Sequence, residues 1–450
     1  MRKSYLIAVF VSAFFSGCSS DTVLPDGQPD DEAENIYLSF NRWVYSEMNR
    51  QYLWREDLPD STACDYDLAP KEFFYSILSD KDRFSYLTFN PTYSGRSARN
   101  YGFAFQPCED RAGNQAAYIL YVTSSSARKS GLHRGDIIEF RNDGDILDIS
   151  LLTMQNGILN PSGDHFELTL NDMQDKPSSV LLDTVYVVNN HAIGYLCYLE
   201  YGEVRDLTAS LQRFKNERIT DLILDLRYNP GGYVNTSRYL CNSIVPQDAY
   251  GGIFQQCSYN DILTEYYDRT TGDGRTYSFY EYPTDPDKET LGSQLYGLQL
   301  QRLHVITSRH TASASEATII CLRPYMEVII IGEQTVGKGV GSWTIFDPEY
   351  DYALQAITMR YYNSLGETTP DEGLMVDYYV PDGFSSSKKD IGDTDEPLLH
   401  KALEVIAPDS FPPAETLTRT VGQGGDIPLV PVGEPSFVTE YKIKKHHYEE

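Results

Sequence analysis

The sequence predicts an α/β fold built from three units, on three observations. Short runs near 219–226, 303–307 and 328–331 are apolar at both parities, the mark of strands buried on both faces, and helical patterns lie between them. A stretch from Tyr101 to about residue 185 alternates in short, turn-punctuated strands. Ahead of it, Ile36, Phe40, Trp43, Tyr45, Met48, Tyr52 and Trp54 recur at helical spacing. At 450 residues, of which 41 % are apolar, the chain has material for two to four domains with sizeable cores.

In chain order, the first element is a leader. Arg2 and Lys3 precede an apolar run from Tyr5 to Phe15 that is too short to span a bilayer as a mature helix, and Ser16-Gly17-Cys18 follows. This layout resembles a bacterial lipoprotein signal, which implies that residues 1–17 are removed and that Cys18 carries the lipid, although Phe15 stands where Leu is usual. An ordinary cleaved signal with an incidental Cys is the plainer alternative. Residues 18–33 are acidic and Pro/Gly-containing and read as a tether between lipid and body. No later run is apolar for long enough to span.

The aromatic stripe predicts a helix ending before Leu58-Pro59, and a second helix is expected over about Pro70–Leu78, within a unit of residues 34–95. The next unit, 96–185, is expected to hold strands at 101–105, 117–122, 137–140, 166–170 and 180–182, with a short polar helix before Gly131-Leu132. Its segment Ser130-Gly131-Leu132-His133-Arg134-Gly135-Asp136-Ile137-Ile138 resembles a PDZ domain; a generic Gly-rich hairpin has the same ingredients. The resemblance implies that Tyr101-Gly102-Phe103 offers backbone N–H groups to a peptide carboxylate and that the following strand pairs with the peptide. From 186 to 406 a βαβ-like alternation is expected, with strands at 192–196, 219–226, 303–307 and 328–331, and helices at 204–215 and 315–323. The Tyr-, Gly- and Asp-rich stretch 245–300 reads as a long insertion or rim, and 407–450 as a C-terminal extension.

Three segments carry chemistry. Asp225-Leu226-Arg227-Tyr228-Asn229-Pro230-Gly231-Gly232 takes a buried strand into a turn whose glycines permit positive φ and close approach by another backbone. Thr311-Ala312-Ser313-Ala314-Ser315-Glu316 opens a helix: Ser313-x-x-Glu316 is a capping box, and the same geometry would hold a hydroxyl at a helix N-terminus fit to stabilise an oxyanion. Gly332-Glu333-Gln334-Thr335-Val336-Gly337-Lys338-Gly339 places a Lys among small residues beyond a buried strand, where loss of water would favour a neutral amine able to accept a proton from Ser. Gly339 breaks the phosphate-loop order that Gly337-Lys338 would otherwise begin.

The three segments in this order, behind a PDZ-like module, resemble the S41 serine peptidases, the carboxy-terminal processing or tail-specific proteases, over roughly residues 34–406. The resemblance implies a crotonase-like ββα spiral core with Ser313 as nucleophile, Lys338 as base, and an oxyanion hole from the backbone of Ala314, Gly231 and Gly232. Taken from the residues alone, Ser315 is equally open as nucleophile. Where the family often has a Lys-orienting Gln this chain has Ser342, and Val376 replaces a frequent Pro.

The expected partners are unfolded proteins or peptides, with the membrane met only through the lipid anchor, in the envelope of a Gram-negative bacterium as an outer-membrane lipoprotein. Two rival readings are a non-catalytic, envelope-anchored peptide-binding scaffold and a crotonase-type acyl-CoA enzyme; for the second, no acidic catalytic pair is visible. A formal net charge of −28 argues against nucleic acid. No metal-ligand spacing or cofactor fingerprint is present, His310 has no acidic partner arranged in sequence, and seven Cys are too few for a disulfide scaffold. Cys197 and Cys321 read as buried thiols, while Cys241 and Cys257 are open to pairing.

Overall fold

In a computed structural model the chain is described over residues 31–89, 102–143, 146–169, 179–189, 191–270, 275–280, 296–346, 352–385, 388–411 and 427–437. Cys18, Tyr101, the leader and most of the tether lie outside these residues. So do 281–295 of the Tyr-rich stretch and His446-His447.

The N-terminal unit comprises α1 (Asp31–Gln51), α2 (Pro70–Ser76) and β1 (Tyr86–Phe89). Helix α1 starts at Asp31, inside the stretch expected as tether. Phe40, Val44 and Met48, spaced by four, are buried with Tyr52 against Phe73 and Phe74 of α2, so the aromatic stripe is core.

The second unit is an antiparallel sheet of β2 (Phe103–Glu109), β3 (Gln115–Val122), β4 (Ile137–Asp143), β5 (Ile146–Gln155) and β6 (Ile158–Thr169), with α3 (Ser125–Lys129) between β3 and β4. Ser124 caps α3, its hydroxyl accepting from Ser126 and Ala127 N–H. The expected boundary at 185 falls inside a strand. Strand β7 (Val180–Val188) belongs to the next unit, pairing antiparallel with β8 (His191–Tyr198) from Val180↔Tyr198 to Val188↔His191.

The third unit continues with α4 (Arg205–Glu217), β9 (Asp221–Asp225), α5 (Val234–Ile244), β10 (Ile253–Tyr259), α6 (Asp261–Thr270), β11 (Thr276–Ser278), β12 (Arg302–Thr307), α7 (Ala314–Leu322) and β13 (Glu327–Gly332). It ends with β14 (Val340–Ser342), β15 (Ile345–Phe346), β16 (Tyr352–Gln355), β17 (Ile357–Tyr362), β18 (Tyr378–Tyr379) and α8 (Pro397–Ile406). Its main sheet runs β18-β13-β12-β9-β8-β7, parallel except for β7. Alternate residues feed opposite faces, as the two-parity pattern requires. Leu222, Leu224, Leu303 and Val305 pack with α4, α5 and α7, while Ile223, Ile306 and Ile331 pack against Leu398, Leu399 and Leu403 of α8.

A second sheet, β11-β10-β17-β14, takes in part of the stretch expected as an insertion: β10 is an internal strand, with Phe254 and Cys257 buried. A third, β1-β16-β15, joins the N-terminal unit to the core. Cys64, Cys108, Cys197, Cys241, Cys257 and Cys321 are free thiols, so Cys241 and Cys257 are not paired. Burial pushes the Cys241 thiol up to about 12. No helix among the described residues is long and apolar enough to cross a membrane.

The C-terminal extension does not simply trail away. Residues 427–437 return to the second unit, where β19 (Val430–Pro431) pairs antiparallel with Cys108 and Glu109 on the outer edge of β2.

A closed ionic cluster joins the second unit to the third. Arg227 donates to both oxygens of Glu396 (2.7 and 2.9 Å) and to Asp225 (2.9 Å from Nε to Oδ1). Arg134, from the turn before β4, reaches Asp382 at 2.7 Å and Tyr228 Oη at 3.1 Å, and Lys388 adds a bond to Asp382 at 2.7 Å. Three cations thus meet three carboxylates out of solvent. The cations hold Asp382 and Glu396 below the usual carboxylate range against the opposing push of burial. Glu396 also caps α8 through Leu399 N–H.

Removing one member of this cluster strands the others. Glu396→Gln is expected to cost about 3–5 kcal/mol in urea unfolding at neutral pH. Because the folded carboxyl titrates below its unfolded value of about 4.3, its contribution is present above that pH and fades as pH falls through the lowered folded value. The gap between wild type and variant therefore narrows in acid, and a gap that stays constant down to acid unfolding would contradict this account.

Candidate active site

The three motif segments leave the carboxyl ends of three adjacent parallel strands, β9, β12 and β13, the edge of an open sheet where ligand sites form. Their loops are stitched together by main-chain and side-chain bonds. Ala312 N–H donates to Asn229 O (3.2 Å), Thr311 Oγ1 to Leu226 O (2.8 Å) and Val336 N–H to Thr311 O (3.0 Å).

Ser313 stands immediately before α7. An ordinary N-cap residue is extended, whereas Ser313 has φ 57° and ψ −118°. A side-chain-bearing residue in such a conformation costs of order 1–3 kcal/mol and persists only where its surroundings over-determine it. Here the surroundings are visible. A Cβ on Gly231 would lie 2.8 Å from Ser313 Cβ and 3.0 Å from Ala314 N, so only glycine, at φ 109°, lets the Pro230-Gly231-Gly232 turn close on the serine. Ser313 is half-buried and reachable. Ser315 is fully buried, and its hydroxyl donates to Asn229 O at 3.0 Å. Of the two hydroxyl-bearing residues, only Ser313 is accessible.

Glu316 does more than the capping box required. Its Oε2 accepts from Ser313 N–H (3.0 Å) and Lys338 N–H (2.8 Å), and its Oε1 from Gly337 N–H (2.8 Å) and Thr335 Oγ1 (2.5 Å). One buried carboxylate therefore fixes the serine junction and the lysine loop together. Burial pushes this carboxyl above its usual range, and each of the four donors pulls the other way by favouring the charged form.

Tyr361 of β17 adds a second tie, its hydroxyl donating to Lys338 O (3.1 Å) and Ser313 O (3.3 Å). From the N-terminal unit, Arg83 holds the same loop through Val336 O (3.0 Å) and ties it to a neighbouring turn through Asp371 O (2.6 Å). The Lys338 ammonium position lies 5.5 Å from the Phe84 ring centroid. The half-buried lysine thus has an aromatic wall beside it.

One expected oxyanion donor is already engaged. The Gly231 N–H is turned onto Asn229 Oδ1 at 2.9 Å, which leaves Ala314 and Gly232 as the candidate oxyanion donors. Ser342 donates its hydroxyl to Gln355 Oε1 at 3.3 Å, which leaves its oxygen lone pairs as acceptors. His310 does acquire an acidic neighbour, Glu434 Oε2 at 4.0 Å from Nδ1, supplied by the C-terminal segment. Its Nε2 receives Arg309 Nε at 3.3 Å. Among the described residues no group of acidic, His and Cys side chains could hold a metal ion.

The profile of peptidase family S41 matches residues 192–380, and that of the peptidase S41 N-terminal domain matches residues 39–86. The chain belongs to peptidase family S41.

Among individual proteins, it is 24 % identical over 170 residues to the carboxy-terminal processing protease CtpB of Bacillus subtilis, covering 36 % of this chain and 30 % of that protein. It is 23 % identical over 413 residues to the carboxy-terminal-processing protease of Bartonella bacilliformis, covering 86 % of each. Against the first curated relatives it matches, the chain spans 30 % and 56 % of their length. A crystal structure from Bacteroides fragilis assigned to the S41 proteases superposes with a TM-score of 0.67 at 24 % identity, over 86 % of this chain and 100 % of that one. That likeness is one of fold, mixed α/β.

Glu316→Gln tests the shared carboxylate. In either amide orientation an NH2 faces two of the four donors, and leaving buried donors unpaired costs about 1–3 kcal/mol each. Urea unfolding is expected to show a loss of about 2–6 kcal/mol, and a loss below about 1 kcal/mol would remove Glu316 from this role.

Proposed function

We propose that this chain is a serine endopeptidase that cuts unfolded or C-terminally tagged proteins with a Ser313–Lys338 dyad. The observation that carries the reading is the tying of an accessible, strained serine junction to the lysine loop through one carboxylate, Glu316. A hydroxyl so placed at the start of α7 has a helix N-terminus behind it, a favourable site for a developing negative charge.

In the proposed mechanism the unprotonated Lys338 amine takes the Ser313 proton as Oγ attacks the peptide carbonyl. Ala314 and Gly232 N–H groups hold the oxyanion, and Lys338 then protonates the leaving amine. Water, deprotonated by the same amine, attacks the acyl-enzyme, and Ser313 recovers its proton as the carboxylate product leaves. No group outside the chain is needed for proton balance.

The finer fold reading is a crotonase-like spiral core, supported by four parallel strands alternating with α4, α5 and α7 and by the second sheet β11-β10-β17-β14. The second unit is read as PDZ-like. Support comes from the capped α3 between β3 and β4 and from Gly102, which enters β2 at φ 69° with its carbonyl accepting from Thr123 and Ser124. It would take a substrate strand by sheet extension, with Gly102 and Phe103 at the carboxylate end. Lipidation at Cys18 and residence in the cell envelope complete the proposal, and the acidic surface serves solubility.

Purified Ser313→Ala and Lys338→Ala chains should each lose cleavage of an unfolded protein such as β-casein by at least about 100-fold. Ser315→Ala should retain most of it, and all three should melt within a few degrees of wild type. Full activity in Ser313→Ala or Lys338→Ala would overturn the dyad. A wild-type chain that binds casein, fails to cleave it and resists a serine-reactive probe would instead be the peptide-binding scaffold.

A further inference from the structure

The outer edge of β2, the edge a substrate strand would extend, is already taken by this chain. Beyond the pairing of β19 with Cys108 and Glu109, Val432 N–H donates to Pro107 O and Ser436 N–H to Phe105 O, both at 2.9 Å. Phe105 N–H in turn donates to Ser436 Oγ at 3.0 Å, and Gln106 Nε2 to Gly433 O at 2.9 Å. The segment runs antiparallel to β2, so its later residues approach Phe103 and Gly102. That is the direction a docked peptide must take for its carboxyl end to reach the same turn.

The occupant is a poor strand. Pro428, Pro431 and Pro435 have no N–H to give, and Phe105 N–H is met by a side-chain hydroxyl where a main-chain carbonyl would be the ladder partner. Val430 is 56 % exposed. A better anchor lies at the far end. Phe437 is buried, with its ring 5.5 Å from His310, 5.7 Å from Tyr228 and 6.2 Å from Tyr121, centroid to centroid. Tyr228 belongs to the Gly-Gly turn segment, and His310 lies three residues before Ser313. A cavity beside the segment, lined in part by Gln106, Leu120, Tyr228, His310 and Pro431, leaves room for a larger occupant.

We propose that the outer edge of β2 and the aromatic pocket of Tyr121, Tyr228 and His310 form a docking site for an extended polypeptide with an aromatic or large apolar residue near its end. Residues 427–437 of this chain fill that site as a resident occupant, and an incoming substrate must displace them. The inference rests on the reading of the second unit as a peptide-docking sheet, but not on catalysis by Ser313. A tethered occupant competes at an effective concentration on the order of millimolar, enough to suppress weak peptides and admit strong ones.

The test is made in the Ser313→Ala chain, so that binding is read without cleavage. The probe is a fluorescent synthetic peptide with the sequence Ile427–Phe437. Ser436→Pro combined with Phe437→Ala removes one main-chain donor and the anchoring ring, and should raise affinity for the probe by about tenfold or more over the full-length parent. A chain ending at Asp426 should do the same. Because Ile427, Leu429 and Phe437 are buried, either variant can lose stability, so a second measurement uses the parent alone. Hydrogen exchange with an excess of isotope-labelled peptide should show residues 427–437 losing protection while the Phe105 amide keeps it. Equal affinity in parent and folded variants, or a segment that stays protected while peptide binds, would overturn the proposal. With Ser313 restored, casein cleavage has no bearing on these binding results, so failure of the dyad and failure of the docking site are separable.

Discussion

The Glu316 carboxylate is the constraint on which the arrangement of the site depends. It is buried, and its four donors come from both sides of a gap that no single loop spans. In a medium of low polarity such donors are expensive to leave unpaired, so the serine junction and the lysine loop have one low-energy relative placement. The strain at Ser313 is affordable in that setting, since Asn229 and Glu316 each bond to the turn and Gly231 allows it close approach. Tyr361 and Arg83 brace the same loop from the second sheet and from the N-terminal unit. The site is therefore assembled by the whole body, although its chemical groups come from two short segments.

Much of this was legible in the linear pattern, and the reasons differ by element. Strands β9, β12 and β13 could be read because residues buried on both faces leave no polar alternation, and the loops after them carry glycines where close approach demands them. The helix α1 stripe was legible as core for the same reason of periodicity. Glu316 was visible only in part: the i to i+3 relation to Ser313 is local and looks like any capping box, whereas its bonds to residues 335, 337 and 338 cross to another strand. The Arg134, Asp382 and Glu396 contacts join residues up to 262 apart in sequence, and nothing in a window around any one of them signals the others. The sheet that β7 joins was not legible because its half-buried residues suit either one, and it pairs with β8.

The ionic cluster gives the second unit a fixed seat. Arg134 enters it from a turn of that unit, Tyr228 from the Gly-Gly turn segment, and Glu396 from the cap of α8. Such a cluster adds little net stability over apolar packing, but an alternative seating would leave charges buried without partners. Its value here is in geometry. The Gly-Gly turn segment that closes on Ser313 reaches the second unit through one side chain, Tyr228, which meets Arg134 and Phe437 at once.

The path of the chain through these units has a consequence for how the molecule comes into being. The outermost strand of the second unit is made of residues 430 and 431, more than 320 positions after the strand it flanks. The N-terminal unit likewise waits for residues 352–355 to complete the sheet of β1. A chain emerging from its N-terminus therefore carries both units as unfinished sheets until nearly all of it is available, and contacts of such long reach form slowly. The docking of the first two units against the third is therefore a late event, set by the chain's own last hundred residues.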